Sequence, residues 1–290
     1  MLAATAKRQR IDISGRDFGP QDVLEDFGVR VLTAWTDHLR AGRWENRPLV
    51  NSYWRLYLHD RPGAVLLTDD GSMPMRAGQV YLIPPGLDVG STCAGDTSQF
   101  FVHFDLTGIP PISFRELFPG PALAPHPPRF TDTIREAQAR IQNTGRRELS
   151  IECAVKGIVY EAFGYYLAAL PEGVMEQYRR RTSAIKPVLT AVRWIEENLE
   201  KRITNEQLAS LCSLSEDHFI RRFHNALGLP PAQYVMKQRL AKAGQHLLFT
   251  DLTIDEIAAI TGFGDRFYFS RVFARETGLP PAAYRRGGRT

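Results

Sequence analysis

The residues best equipped for chemistry are arginines set against aromatic rings near the C-terminal end of the chain. Phe219 to Tyr234 reads FIRRFHNALGLPPAQY, and Phe269 to Tyr284 reads FSRVFARETGLPPAAY. Nine of these sixteen aligned positions are identical at an offset of 50 residues, which marks an internal duplication. In each copy a Phe pair at i and i+4 (Phe219/Phe223, Phe269/Phe273) defines the packed side of a helix. Arg221 and Arg222 in the first copy, and Arg266 and Arg271 in or just before the second, accompany those pairs. A guanidinium presents a planar fork of donors that fits a phosphate or the O6/N7 edge of guanine. The chemistry on offer is recognition of an anion or a base edge rather than bond-making.

Elsewhere the reactive residue types are scattered. His59 and His103 are isolated from each other, whereas a metal-dependent barrel enzyme brings about three histidines and a carboxylate together. Cys93, Cys153 and Cys212 are odd in number, far apart and outside any CxxC, which fits a reducing compartment and no zinc site. There is no phosphate-cradling glycine loop, nucleophile elbow or HExxH. No catalytic residue, metal or other cofactor is expected.

The duplicated segments require elements to carry them, and the local signals supply these. Asn205 to Cys212 reads as a short helix with Thr204 as its N-cap, followed by a tight turn at Ser213-Leu214. Ser215 then caps a longer helix to about Leu227, and Gly228 stops it. In the second copy the short helix is Ile254 to Thr261, Gly262 makes the turn, and Asp265 caps a helix ending near Gly278. Leu208-Ala209 and Ile257-Ala258 correspond at an offset of 49, the second copy having one extra residue before its longer helix. Each unit is a helix-turn-helix, whose second helix enters a major groove. Between them Pro230/Pro231 open a helix to about Leu248, roughly 27 Å long. Such a spacer sets the two recognition helices about one DNA turn apart, near 34 Å, so the expected partner is double-stranded promoter DNA.

Residues from about Ile185 to Arg286 resemble the DNA-binding domain of the arabinose-regulator (AraC/XylS) family, above all through DEIAAITGFGDRFYFSRVFARETGLPPAAYRR. Transferred by position, the resemblance implies base contacts at Asp217, Ile220 and Arg221 in the first recognition helix. In the second it implies Arg266, Phe267, Ser270 and Arg271. Ile220 and Phe267 can touch a thymine methyl but cannot hydrogen-bond. Arg221 and Arg271 are read either as base contacts or as phosphate or ion-pair groups, and Arg222 with His218 as phosphate-facing. Phe219, Phe223, Phe269, Phe273, Tyr234 and Tyr284 are assigned to the core.

Upstream, residues 50–106 read as short strands: Tyr53 to His59, Ala64 to Thr68, MPMR, QVYLI and Ser98 to Leu106, divided by the turns DRPG, DDGS, AG and PPG. The segment MRAGQVYLIPPGLDVGSTCAGDTSQFFVHFDL resembles the cupin-like ligand-binding domain of the same family. That resemblance implies a barrel enclosing a small-molecule effector, sugars being a frequent class. Alternation puts Arg55, Tyr57 and His59 on one face of a strand and Trp54, Leu56 and Leu58 on the other; which face points inward stays open. Arg55, Tyr81, Asp88 and His103 are the candidate ligand contacts.

A proline-rich loop is expected over Gly108 to Arg129, then helices over Thr131 to Gln142 and Glu148 to Leu170. The apolar stripe of the second (Ile151, Val155, Ile158, Val159, Ala162, Phe163, Tyr166) either forms a dimer seam or covers the barrel. Val174 to Lys186 reads as a linker. The expected fold is α+β: a cupin-like sensor barrel or jelly roll over 1–130, a helical dimerisation and linker region over 131–182, and an all-α DNA-binding domain over 183–290.

Charge agrees with this division. The net charge of +4 lies entirely in residues 183–290, with 15 Lys/Arg against 11 Asp/Glu, whereas residues 1–182 carry 21 of each. The opening MLAATAKRQR lacks the apolar core of a secretory signal, and no run reaches the roughly 18 apolar residues of a membrane span. The expected protein is a cytoplasmic, homodimeric, effector-controlled regulator, an activator that recruits RNA polymerase. The alternatives are a dimeric regulator without an effector and a cupin metalloenzyme with a DNA-binding appendage.

Overall fold

Antiparallel pairing organises the N-terminal half. The computed structural model describes residues 27–42, 44, 46–107, 117–144 and 148–287; the opening MLAATAKRQR and part of the expected proline-rich loop lie outside them. One sheet has the order β1-β8-β3-β6-β9, made of Gly28–Leu39, Thr97–Thr107, Trp54–His59, Val80–Ile83 and Ala122–Ala124. The other, β2-β7-β4-β5, is made of Asn46–Val50, Asp88–Cys93, Ala64–Thr68 and Gly71–Pro74. Tyr57, Ala64, Leu66, Met75, Tyr81, Ile83 and Val89 come from both sheets and fill the space between them.

The first sheet is covered on its other side too. Trp54, Leu56, Leu58, Leu82, Phe100, Val102 and Phe104 pack with residues of α1 (Pro128–Thr144) and α2 (Leu149–Ala168). Every residue of β3 is therefore buried. The face left open by alternation is settled by this: Trp54, Leu56 and Leu58 meet the helices, while Tyr57 meets the opposite sheet. The stripe of α2 is likewise spent within the chain, since Val155, Ile158, Val159, Ala162 and Phe163 belong to the same core. It covers the sheet and is not free as a dimer seam.

Three sequence expectations are corrected. The expected linker is mostly α3 (Glu172–Ile185), a charged helix on which Glu176 pairs with Arg179 and Arg180 at i,i+3 and i,i+4. Strand β9 lies inside the expected proline-rich loop, and α1 begins at Pro128, where a fixed φ suits a first helical turn. Strand β5 starts at Gly71, so part of DDGS is strand rather than turn.

The C-terminal third is helical: α4 (Leu189–Glu197), α5 (Asn205–Leu211), α6 (Glu216–Leu227), α7 (Pro231–Phe249), α8 (Ile254–Ile260), α9 (Arg266–Thr277) and α10 (Pro281–Gly287). No described helix is long and apolar enough to cross a membrane. The two halves share a core, because Tyr53 and Leu32 join Leu240, Ala243, Leu247, Ile257, Phe269, Phe273 and Tyr284. Polar bonds flank that contact. Ser52 Oγ donates to the Ala241 carbonyl at 2.8 Å, and Gln245 Nε2 to the Ser52 carbonyl at 3.1 Å. Arg30 donates to Asp105 at 2.7 Å and to Gln245 Oε1 at 2.8 Å. The β-rich half is thus docked on α7, the helix between the two duplicated units.

Candidate nucleic-acid interface

Each unit is assembled from local instructions. Thr204 Oγ1 accepts from the Gln207 amide while Gln207 Oε1 accepts from the Thr204 amide, and Thr253 with Glu256 repeats the box in the second copy. Asp265 accepts from the Phe267 and Tyr268 amides, and these bonds hold its carboxyl below the usual range. Ser215 occupies the N-cap position of α6 but makes no side-chain cap bond. Gly228 and Gly278 end the longer helices in the left-handed region. Leu208, Ala209, Ile257 and Ala258 are buried between the helices of each pair, and Phe219, Phe223, Phe269 and Phe273 lie fully inside.

That packing leaves one face of α6 and one of α9 outward. On α6, Asp217, Arg221 and Arg222 are exposed and Ile220 is half-buried, while Arg222 Nε bonds His218 Nε2 at 3.0 Å. On α9, Arg266, Phe267 and Arg271 are exposed and Ser270 is half-buried. The structure therefore brings the residues expected on each helix onto an accessible face. Arg266 is not idle: it pairs with Asp255 of α8 at 2.9 Å and lies 4.9 Å from the centre of the Phe267 ring. Phe267, 67% exposed, and Tyr268, 44% exposed, present apolar surface at the start of α9 where a soluble fold gains nothing from it. Tyr268 was not singled out in the sequence, although its place in the first turn of α9, beside Phe267, is a usable signal.

A second contribution invisible in the sequence holds the two units together. Arg239, on α7, donates from Nε to the Leu199 carbonyl at 2.9 Å and from Nη2 to the Lys201 carbonyl at 2.7 Å. Leu199 and Lys201 lie in the turn before α5, so α7 grips the first unit there. Gly262, in the turn of the second unit, sits against the same place. It has φ +79°, and a Cβ there would overlap the Leu199 carbonyl oxygen and lie 2.7 Å from the Arg239 guanidinium carbon. The turn of one unit is seated on the entrance of the other, with no room for a side chain. At about 1.5 Å per residue, α7 spans roughly 28 Å between them.

The candidate ligand contacts divide. Arg55 and His103 sit directly opposite each other on β3 and β8, and Tyr81 on β6 is opposite Tyr57. The Tyr81 hydroxyl is occupied by the Arg76 amide at 2.8 Å. Asp88 is exposed at the start of β7 and paired with Val50, away from the others. Burial, with the nearby Arg55 cation, drives the His103 imidazole down to about 3, and burial takes His59 down to about 4. Both rings stay neutral near pH 7.

Fold and surface together define a protein with two stacked helix-turn-helix units behind a β-rich domain. Residues 208–287 match the family described as Helix-turn-helix domain. The chain is 38% identical over 94 residues to the HTH-type transcriptional activator RhaS of Mannheimia succiniciproducens, covering 32% of this chain and 35% of that protein. It is 35% identical over 92 residues to the MmsAB operon regulatory protein of Pseudomonas aeruginosa, covering 32% and 30%. The chain spans about a third of the length of the curated relatives it matches. ToxT of Vibrio cholerae O395 shares the fold across 90% of this chain and 98% of its own, with a TM-score of 0.51 at 10% identity. Residues 208–287 thus carry a helix-turn-helix domain, and the relatives similar to this part of the chain are transcriptional regulators.

Proposed function

We propose that the chain is a sequence-specific transcription regulator in which one molecule reads two successive major grooves. The observation that carries this is the seating of Gly262 and Arg239 on Leu199 and Lys201, which turns two helix-turn-helix units into one body. Asp217, Ile220, Arg221, Arg266, Phe267, Ser270 and Arg271 act as the reading residues, and Arg222 meets phosphate. Phe267 and Ile220 supply contacts to thymine methyls, the arginines forks to guanine or phosphate. The protein acts in the cytoplasm as an activator that engages RNA polymerase, a reading supported by its likeness to RhaS.

The β-rich domain is read as a cupin-like effector sensor. Its docking on α7 supports this, because any change in the sheet at Ser52, Tyr53 or Arg30 acts on the spacer between the reading heads. ToxT, of the same fold, has been solved bound to (E)-4-(8-methylnaphthalen-1-yl)but-3-enoic acid. A homodimer would form through the outward side of α2, where Cys153, Gly157, Glu161 and Gly164 are exposed and the glycines permit close approach.

Selection of bound duplexes from a random pool by the purified full chain tests the function. The expected product is a two-part motif whose halves are centred about 10 base pairs apart. Affinity should also fall steeply with salt, by roughly 0.9 log units per log unit of salt for each phosphate neutralised. Recovery of unenriched sequence would remove the proposal.

A further inference from the structure

Arg55 is a cation without a carboxylate partner among the described residues. It is 5% exposed, and its Nε and Nη2 atoms are buried with no hydrogen-bond partner. Those two nitrogens form one edge of the guanidinium, the edge whose parallel N–H bonds match the two oxygens of a carboxylate. A buried guanidinium calls for a counter-charge or a full set of hydrogen-bond acceptors. Among the described residues no carboxylate forms an ion pair with it. The groups near enough to feel its charge are the side chains of Tyr53, Tyr57, His103 and Tyr284, the Tyr57 hydroxyl within hydrogen-bonding reach.

Those rings come from both halves of the chain. His103 packs against Tyr53 and Phe101, each with a ring separation of 4.8 Å, and Phe249 at the end of α7 stands 5.0 Å from Tyr53 and 5.9 Å from His103. Tyr284 lies on α10 and closes the same cluster. The surroundings are aromatic faces with tyrosine hydroxyls beside a single positive charge, His103 being neutral.

We propose that Arg55 anchors the carboxylate of a small organic monoanion with a largely apolar body, held where the sheet domain meets α7 and α10. This rests on the reading of the β-rich domain as an effector sensor and supplies the chemical class. One uncompensated positive charge balances a carboxylate, and the faces of the surrounding rings suit an apolar body. An occupant would touch β3 and β8 on one side and Phe249 and Tyr284 on the other. It would thereby set the seating of the second helix-turn-helix unit on the sensor.

The test is thermal unfolding of the full chain with 4-phenylbutyrate, benzoate and octanoate, against their primary amides, glucose and glucose 6-phosphate. Carboxylates at about a hundredfold excess over Kd should raise Tm by roughly 4 °C, and the amides and sugars should not. Without ligand, Arg55→Met should raise Tm, because it removes a desolvated charge, and it should abolish the response. Arg55→Lys keeps the charge but not the fork and should bind carboxylate at least tenfold more weakly. A response to glucose or glucose 6-phosphate alone, to nothing at all, or one that survives in Arg55→Met, overturns the proposal; so does a destabilised Arg55→Met. Duplex selection on the same preparations separates the two claims. Intact DNA preference with no carboxylate response removes the effector class only, and loss of DNA preference removes the regulator reading itself.

Discussion

Arg266 shows how a residue proposed to read DNA is kept ready. Its guanidinium is held by Asp255 and by the Phe267 ring, both accessible to solvent, so it is oriented outward and can exchange partners at small cost. Arg266→Ala is expected to cost about 1–3 kcal/mol in binding at one base pair of the selected site and little at others. Removing the competitor works the other way: Asp255→Ala should tighten binding by about 0.2–1 kcal/mol. Fluorescence anisotropy on single-base variants of the duplex reads both. A uniform loss across all variants would instead make Arg266 a phosphate contact. The arginines of the repeat were legible because i,i+4 aromatic spacing fixes which side of the helix is packed. The ring cluster about Arg55 was not, because Tyr53, His103, Phe249 and Tyr284 come from four distant segments and only the folded chain unites them.

At the level of elements, both helix-turn-helix units were readable nearly to the residue, since caps, turns and stops are local chemistry. The strands were less so. Strand β1 carries a weak burial alternation, and β7 is a polar, small-residue stretch, so neither shows the period-2 pattern that betrayed β8. Helix α3 was hidden by its charge, which reads as linker until the Glu176 ion pairs are seen. The turn of each unit gives a matched pair of predictions. Ser213 occupies in the first unit the place of Gly262 in the second, and adopts φ 54°. Ser213→Gly should be neutral or stabilising by up to about 1 kcal/mol, because it relieves a left-handed backbone. Gly262→Ala should cost about 1–3 kcal/mol from the backbone alone, and more from the overlap with Leu199. Urea denaturation measures both. Equal, small effects would show that the two units are not seated on each other.

Across the whole molecule, buried titratable groups make stability depend on pH in two opposed ways. His59 and His103 take up protons more readily unfolded, near 6.5, than folded, near 4 and 3, so stability falls as pH drops below about 6.5. Glu196, which accepts from the Tyr234 hydroxyl and has Asp105 nearby, is pushed up to about 8 by burial. Unfolded it ionises near 4.5, so its contribution shrinks as pH rises from there to about 8. Above 6.5 the histidine slope fades over about one pH unit, and the Glu196 slope opposes it. Glu196→Gln should therefore flatten the decline in urea midpoint between pH 6.5 and 8, and an unchanged decline would contradict the assignment. The docking of the sheet domain on α7 joins this chemistry to the two helix-turn-helix units. Hydroxyl-radical footprinting of the full chain on a selected duplex tests the central claim most directly. Two protected patches about 10 base pairs apart on one face, both weakened by Gly262→Ala, are expected. A single patch, or two that vary in spacing from site to site, would mean the units do not act as one body.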